Sequence, residues 1–316
     1  MRIFFIGPTY VGDAVVVTGL LDHIIRKYPE ARITVACGRV AAPIFANAPN
    51  LERLITFVKS GRIGHWIDLW RASVGTRWDL VVDLRGSGLA WLLRARERRI
   101  FRPDPRKAHS TQTLAAVLDL PNLPPPVLWT SPSDAAAAAA LAPDGPPVIA
   151  LGTTGNYPPK IWPAASFAEL ARRLSAAEGP FPGARIAVLA AGHERPIVAA
   201  LLTALPTERT IDLVGRADLG VIGAVLKRSA LFIGNDSGPL YLAIAAGIPA
   251  VGLFGPTPGL LGPPVGGLPA PWAHKAAVVR AQVGPAGIAH MSDLTVDAAE
   301  VAVRDLLRRV TGADSR

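Results

Sequence analysis

The chain contains almost no cysteine and few histidines. Cys37 is the one cysteine among 316 residues, and the six histidines are scattered along the sequence. A disulfide within the chain and a zinc site of several cysteines are therefore excluded. Because no HxxxH or HExxH pair occurs, the histidines indicate no metal centre either. We predict a protein that uses no metal and no bound cofactor.

Long hydrophobic runs are also missing. The first residues, MRIFFIGPTYVGDAVVV, contain Gly, Pro and Asp and lack the apolar core and cleavage site of a secretory signal. No apolar run is long enough to span a bilayer, and a single cysteine fits a reducing compartment. We therefore expect a soluble, unexported protein that works in the cytoplasm, with a strand at its beginning.

Acidic residues are fewer than basic ones, 24 against 33, so the net charge is +9. This excess predicts anionic partners, namely phosphates, acidic sugars, a membrane surface or nucleic acid. An Arg-rich solvated surface is the alternative. The sequence shows no helix-turn-helix, RNA-recognition or zinc module, so a basic nucleic-acid-binding protein is the less favoured function and we predict no nucleic-acid partner.

The first part of the chain alternates strand and helix signals, which predicts an α/β fold with parallel strands. A helical spacing covers 13–28, and the stretch 89–99 also has the composition of a helix. Apolar runs predict strands at 2–7, 32–37, 51–57 and 79–84.

From Leu120 the sequence becomes rich in Pro and Ala, which predicts a linker and an Ala-rich helix. A second alternation follows and ends in an amphipathic helix over 292–310, capped by Asp293 or Thr295. The predicted strands are 147–155, 185–192, 210–215, 230–236 and 249–255, and the predicted helices are 164–177, 194–204, 218–229 and 238–246. The predicted domains are 1–143 and 144–291, followed by the C-terminal helix in 292–316. In open α/β sheets, ligands bind beyond the carboxyl ends of the strands.

The stretch GNDSGPLYLAIAAGIPAVGLFGPT, residues 234–257, has a turn between a buried strand and a buried helix. Asp236 or Ser237 is placed to cap this helix, and Gly238 allows a ligand or another backbone to come close. The helix is predicted to end at Gly247. Its N-terminal N–H groups and dipole attract phosphate, although an ordinary capped helix has the same pattern.

The same stretch resembles the signature of glycosyltransferase family 9, the ADP-heptose:lipopolysaccharide heptosyltransferases. That signature is roughly D-[ST]-G-x-x-H-L-A-x-A-x-G-x-P-x-x-x-L-F-G-P-T, and the chain departs from it at Tyr241, where the family usually has His. Three further segments agree in order. The opening has a Gly-Asp after the first strand, WDLVVDLRG has Arg85 where the family has Gln, and LGTTGNYPPKIWP matches T-T-x-x-x-K-x-W-P with a slightly longer loop before Lys160.

This resemblance implies a GT-B fold, with two Rossmann-like domains whose parallel sheets face each other across a cleft. The first domain would bind the acceptor and the second the nucleotide sugar, and the C-terminal helix would pack back on the first domain. The implied reaction is an inverting transfer of a sugar, heptose above all, from a nucleoside-diphosphate donor such as ADP-heptose. The implied acceptor is an anionic glycolipid or glycan of the lipopolysaccharide-core type, reached at the cytoplasmic face of the inner membrane. Another nucleotide-sugar enzyme on this scaffold, such as an epimerase, is the alternative.

The resemblance also assigns catalytic roles. Asp13 would be the base that takes the acceptor proton, or else it only caps the first helix. Lys160 and the helix end at Ser237 and Gly238 would stabilise the leaving diphosphate. No paired carboxylates indicate a metal for this step.

The remaining predicted site residues bind substrates. Glu194 would contact the ribose of the donor, or else it is an ordinary acid in the first turn of a helix. Thr153, Thr154, Asp236 and Tyr241 complete the predicted donor site. The predicted acceptor residues are Lys59, Arg62 and Arg85, near a basic run over 94–107 that would meet acceptor anions or the anionic leaflet. The run is otherwise a solvated face.

Overall fold

The computed structural model describes residues 1–58, 64–102, 110–255, 274–282 and 289–313. The chain divides into two compact units, Met1–Trp129 and Thr130–Arg316. The division falls ahead of the Ala-rich helix, whereas the sequence placed the domain boundary at 143. Among the described residues, none of the helices combines the length and apolarity that a membrane span requires.

The first unit is a five-stranded parallel sheet with the strand order β3-β2-β1-β4-β5. Its strands are β1 (Arg2–Ile6), β2 (Arg32–Gly38), β3 (Leu51–Phe57), β4 (Trp78–Asp83) and β5 (Ala95–Ile100). Its helices are α1 (Val11–Lys27), α2 (Ala42–Phe45), α3 (Gly64–Ser73) and α4 (Ser110–Ala116), with 3₁₀ turns at Arg39–Ala41 and Leu89–Leu92.

The core of this unit forms around its central strands. Phe4, Phe5 and Ile6 of β1 are fully buried, and the Phe4 ring stacks on Trp78 of β4 with centroids 4.9 Å apart. The strand is a continuous apolar run because helices cover both faces of a parallel sheet. The predicted strands at 2–7, 32–37, 51–57 and 79–84 are confirmed within one residue at each end.

The predicted helix over 89–99 is wrong. The chain makes only a 3₁₀ turn at Leu89–Leu92 and then the edge strand β5, which pairs in parallel with β4, Leu80 opposite Glu97 and Val82 opposite Arg99. Leu, Ala, Arg and Glu are good helix formers, but local propensity is a weak preference that tertiary pairing overrides. Charged side chains suit an edge strand, which has one open side.

The second unit is a six-stranded parallel sheet with the order β11-β10-β9-β6-β7-β8. Its strands are β6 (Val148–Gly152), β7 (Arg185–Leu189), β8 (Thr210–Asp212), β9 (Leu231–Asn235), β10 (Ala250–Phe254) and β11 (Ala276–Arg280). Its helices are α5 (Pro132–Leu141), α6 (Ala164–Ser175), α7 (Arg195–Ala204), α8 (Leu219–Lys227), α9 (Gly238–Ala246) and α10 (Val296–Ala313), with 3₁₀ turns at Pro158–Lys160, Gly192–Glu194, Thr207–Arg209 and Met291–Asp293.

Both sheets have the Rossmann order. In each unit, the first strand of the chain lies inside the sheet. The next two strands are added on one side of it, and the later strands are added on its other side. The order therefore reverses between β1 and β4 in the first unit and between β6 and β9 in the second. Such a reversal opens a crevice at the carboxyl ends of the two strands, where ligands bind in open α/β sheets.

The C-terminal helix α10 belongs to the second unit. Ala299, Val303 and Leu306 are fully buried in the hydrophobic core of that unit. Of the two predicted caps, Thr295 is the one used, because its Oγ1 accepts the Ala298 N–H at 3.2 Å. Packing of this helix on the first domain stays a prediction.

Candidate active site

The crevice of the second unit is flanked by the ends of β6 and β9. Gly152 and Gly234 pair across these strands, so the residues that follow them, Thr153 on one side and Asn235 and Asp236 on the other, reach the same edge of the sheet. The helix α9 starts at Gly238, two residues after Asp236. Thr153 and Asp236 therefore lie at the carboxyl edge of the sheet, which is where ligands bind in open α/β sheets.

Asp236 organises the centre of this edge. Its carboxylate accepts a hydrogen bond from Lys160 Nζ at 2.9 Å and another from the Tyr241 hydroxyl at 2.8 Å. The Lys160 and Asp236 side chains are 17% and 5% exposed, and Tyr241 is buried. A lysine ammonium has three N–H donors, so two remain for a ligand when one is given to Asp236. Tyr241 and Lys160 therefore share one carboxylate, with Tyr241 on Oδ1 and Lys160 on Oδ2.

The expected cap of α9 is not formed. Ser237 occupies the N-cap position, but its side chain caps no N–H group and its Oγ instead donates to the Asn235 carbonyl at 3.3 Å. The Asp236 carboxylate is taken by Lys160 and Tyr241. The expectation of an Asp236 or Ser237 cap was wrong because both side chains have other partners. The N-terminal N–H groups of α9 therefore have no cap from either residue, which suits the binding of an anion. The other end is as predicted, since Gly247 terminates α9 in the left-handed conformation at φ 75°.

Asn235 is a site residue that the sequence analysis missed. It is fully buried, and its Oδ1 accepts the backbone N–H of Trp162 at 3.1 Å. Trp162 is also held by its Nε1, which donates to the Leu294 carbonyl at 2.8 Å. This anchor lies two residues after Lys160 and fixes the end of the segment 153–161, called the lysine loop below. A buried amide at the end of an otherwise apolar strand was the available signal.

Two buried polar atoms at the crevice have no partner. Thr153 Oγ1 and Asn235 Nδ2 find no hydrogen bond among the described residues. Buried polar groups are rarely left unpaired, and each such group calls for a water, an ion or a ligand. The two atoms lie at neighbouring strand ends, on either side of the crevice, and a donor contact of Thr153 stays a prediction.

Thr154 and Glu194 are brought together, as the predicted donor site requires. Glu194 Oε2 accepts hydrogen bonds from Thr154 Oγ1 at 3.0 Å and from the Ala191 N–H at 2.7 Å. Both bonds go to Oε2, so Oε1 receives no hydrogen bond from the described part of the chain. A carboxylate that is held by one oxygen and open at the other is suited to accept from a hydroxyl.

The crevice of the first unit carries Asp13 and Arg85. Ile6 and Asp83 pair at the ends of β1 and β4, Asp13 lies in the first turn of α1, and Arg85 follows β4. The Asp13 carboxylate receives no hydrogen bond from the described residues, so the alternative in which it caps α1 has no support here. Burial raises the pKa of Asp13 above its ordinary value, and the nearby Arg85 charge acts in the opposite direction and lowers it.

Arg85 is held in place by contacts of its backbone and its guanidinium group. Its backbone N–H donates to Asp83 Oδ1 at 2.9 Å, and its Nη1 donates to Thr9 Oγ1. The guanidinium lies over the Phe57 and Trp66 rings, 5.6 and 5.4 Å from their centroids. Its Nε is buried and has no partner among the described residues. A fixed cation over two aromatic rings is typical of an anion-binding arginine.

The other predicted acceptor groups are described only in part. Lys59 and Arg62 lie outside the described residues. The basic run over 94–107 is described only as far as Arg102, and its first half forms the edge strand β5. Within the described ranges, no group of three or more His, Cys, Asp or Glu side chains is arranged to hold a metal ion.

The chain has two Rossmann units, each with polar side chains at the crevice of its sheet. Comparison with known proteins identifies it as a glycosyltransferase of the GT-B fold. The chain belongs to glycosyltransferase family 9 (heptosyltransferase), whose sequence model matches residues 72–294.

Individual relatives agree along most of the chain. Lipooligosaccharide heptosyltransferase 2 of Haemophilus influenzae is 23% identical over 328 residues, which cover 89% of this chain and 88% of that protein. Among solved structures, ADP-heptose heptosyltransferase II of Escherichia coli has a TM-score of 0.76 at 22% identity and covers 97% of this chain and 98% of its own. The E. coli heptosyltransferase WaaC with ADP-2-deoxy-2-fluoro heptose has a TM-score of 0.68 at 18% identity, covering 96% and 99%.

Proposed function

We propose that the protein transfers a heptose, with inversion, from ADP-heptose to an anionic acceptor of the lipopolysaccharide-core type at the cytoplasmic face of the inner membrane. The observation that carries the proposal is the largely buried Lys160–Asp236 pair, 17% and 5% exposed, beside the N-terminus of α9. The names of the relatives support the choice of heptose, and the solved WaaC complex supports an ADP-linked donor for this family.

On the donor side, the diphosphate would bind at the N-terminus of α9. The free N–H donors of Lys160 and the N–H groups of the first helical turn would contact its oxygens. When the bond between the anomeric carbon and the diphosphate breaks, the electron pair stays on the phosphate oxygen. Positive groups that are already in place stabilise this charge without reorganisation. Glu194 Oε1 would accept from a ribose hydroxyl, and Thr153 would find in the donor the partner that its buried hydroxyl lacks.

On the acceptor side, the hydroxyl oxygen of the acceptor would attack the anomeric carbon from the face opposite the diphosphate. Its proton would pass to the Asp13 carboxylate as the new glycosidic bond forms. A raised pKa makes this carboxylate a stronger base than an ordinary aspartate. Arg85 would bind an anionic group of the acceptor, and its charge favours the ionised form of Asp13. Attack from the opposite face gives the inverted anomer.

A panel of ligands tests the donor assignment. A ligand that binds only the native state raises the free energy of unfolding, by about 2.7 kcal/mol at a hundred times its dissociation constant. We expect ADP-heptose and ADP to raise the melting temperature, and UDP-sugars and GDP-sugars to leave it near that of the free protein. A larger shift with a UDP-sugar than with ADP-heptose would contradict the proposed donor.

Product analysis tests the reaction itself. Incubation with ADP-heptose and a heptose-deficient lipopolysaccharide core should release one ADP for each heptose transferred. The proton NMR spectrum of the product should show an anomeric configuration opposite to that of the donor. Retention of configuration would overturn the single-displacement mechanism, and a sugar altered without transfer would favour the epimerase alternative.

A further inference from the structure

An exposed apolar tip lies in the connection between β4 and β5. Trp91 and Leu92, in the 3₁₀ turn Leu89–Leu92, are 61% and 66% exposed. Helix α3 lies against this turn and adds Ile67 and Trp70, which are 43% and 38% exposed. These four side chains are called the apolar tip below, and Trp91 and Leu92 are the most exposed of them. Clustered exposed apolar groups mark interaction sites, whereas scattered ones do not.

The tip is held in place rather than loosely exposed. Arg98 Nε donates to the Ala90 carbonyl at 2.8 Å and its Nη2 donates to the Leu93 carbonyl at 2.7 Å. The same guanidinium lies 5.8 Å from the centroid of the Trp91 ring. Gly88 precedes the turn at φ 77°, a left-handed conformation that favours glycine. The side chains that flank Trp91 and Leu92, Ala90 and Leu93, are buried, so the turn anchors itself in the core and presents the pair outward.

The surroundings of the tip are basic. Arg94 and Arg96 follow it directly and are exposed, whereas Arg71 on α3 is paired with the exposed Asp68 at 3.6 Å. The one acid between residues 89 and 98 is Glu97, and its carboxylate is engaged by Arg99 Nε at 2.6 Å. The tip therefore combines large apolar side chains with arginines that face solvent.

We propose that the apolar tip inserts into the headgroup region of an anionic membrane, with Arg94 and Arg96 against the lipid phosphates. Tryptophan is enriched where an apolar medium meets water, and basic residues near an anionic surface add about a fivefold gain in partitioning each. A nucleic-acid partner is less suited to this surface, because Leu92 and Ile67 offer no stacking face. The inference rests on the proposed function, since it identifies the surface by which the enzyme reaches a membrane-embedded acceptor. The same connection begins with Arg85, the arginine beside the candidate base.

Vesicle sedimentation tests the proposal with the full chain. We expect the wild type to sediment with vesicles of phosphatidylcholine and phosphatidylglycerol at low salt, and to remain in solution with phosphatidylcholine alone. The double variant Trp91→Ala with Leu92→Ala should lower the partition coefficient by at least about tenfold, because both side chains would leave the interface. Charge reversal of Arg94 and Arg96 to Glu should lower it further and weaken its dependence on salt.

The matched control removes two equally exposed apolar side chains elsewhere. Ile197 and Val301 are 48% and 57% exposed in the second unit, and Ile197→Ala with Val301→Ala should leave vesicle binding unchanged. Equal binding by the tip variant and the wild type, or an equal loss in the control, would overturn the proposal.

The shift in melting temperature on adding ADP separates this inference from the proposed function. We expect the tip variant to keep the wild-type shift. Loss of vesicle binding with that shift retained supports the tip. Absence of any ADP response in the wild type would instead refute the proposed donor, whatever the vesicles show.

Discussion

The proposed chemistry depends on Asp13 more than on any other residue. It is half-buried, lies in the first turn of α1, and receives no hydrogen bond from the described residues. We expect Asp13→Asn, which keeps the shape and removes the base, to lower the turnover rate about 10²–10⁴-fold while leaving ADP binding near normal. Steady-state transfer rates and ADP titrations measure the two effects. Near-normal turnover in the variant would remove Asp13 from the mechanism.

The same substitution should stabilise the fold at neutral pH. Because burial raises the pKa of Asp13 in the folded state, the folded protein holds this proton more tightly than the unfolded chain does. The contribution to stability is therefore complete below the ordinary pKa and is lost as the pH rises through the raised value. We expect Asp13→Asn to melt at a higher temperature than the wild type at pH 7 and at the same temperature at pH 3. A lower melting temperature at pH 7 would show that contacts of the charged carboxylate outweigh its burial.

Arg85 should control the pH at which the base works. Its charge lowers the pKa of Asp13 against the effect of burial, so Arg85→Gln should raise that pKa further. The acid limb of the pH profile of kcat/KM should then move to higher pH. Arg77→Gln is the matched control, because Arg77 is exposed and precedes β4 at the opposite edge of the sheet. A shift of equal size in both variants would point to the overall charge of the protein instead of the charge of Arg85 near Asp13.

At the scale of elements, the lysine loop and the N-terminus of α9 together form the proposed diphosphate site. Lys160→Ala should weaken ADP binding about 10- to 100-fold, the usual effect of losing a charge-assisted hydrogen bond, and leave adenosine binding unchanged. Lys275→Ala is the control, since Lys275 is exposed and precedes β11 at the amino edge of the sheet. Equal losses for ADP and adenosine in calorimetric titrations would mean that Lys160 supports the fold and does not bind phosphate.

Two substitutions of Tyr241 test whether the Asp236 carboxylate, which Tyr241 shares with Lys160, transmits an effect of Tyr241 on ligand binding by Lys160. Tyr241→Phe removes the donor to Asp236 Oδ1, so the carboxylate is left to Lys160 and should draw the ammonium away from the ligand. We expect ADP affinity to fall by about 0.5–3 kcal/mol, with adenosine affinity unchanged. Tyr241→His should restore the affinity and make it stronger toward acidic pH, because imidazole takes up a proton near neutrality. If both variants bind ADP as the wild type does at every pH, Tyr241 is a packing residue.

The sequence predicted the buried elements well and the edges poorly. Strands such as RIFFI and VIALG are continuous apolar runs, and helices such as Gly238–Ala246 have a clear start and a terminal glycine. The edge strand ARERRI carries four charged residues, and its composition is typical of a helix. It is a strand because it pairs with β4, a tertiary contact that local composition does not predict. The edge strand β11 was not predicted at all.

The site shows the same limit. The motif predicted that Lys160, Asp236, Glu194 and Tyr241 serve one site, but not that Asp236 holds Lys160 and Tyr241 together. Thr154 and Glu194 are forty residues apart and meet only because β6 and β7 are neighbours. Such contacts follow from strand order, which spacing along the chain does not reveal.

At the scale of the whole molecule, the structure predicts the position of the boundary between the two units of the chain. Helix α5 packs on α8 of the second unit, so closely that a Cβ at Gly220 would lie 2.9 Å from the Asp134 carboxyl group. Ser131 and Asp134 cap α5 reciprocally, and Lys227 Nζ donates to Thr130 Oγ1 at 2.9 Å. Helix α5 is therefore part of the second unit, although the sequence analysis placed it ahead of the boundary at 143.

Two fragments test this division. We expect residues 130–316 to unfold cooperatively and to bind ADP, and residues 144–316, which lack α5, to melt more than about 5 °C lower. Loss of the helix uncovers apolar surface on α8, and in a unit of this size each 1 kcal/mol lowers the melting temperature by about 2–4 °C. Calorimetry and ADP titration of both fragments measure the outcome. Equal melting temperatures would place the working boundary at 143, where the amino-acid sequence alone had put it, and would make α5 a separable connector.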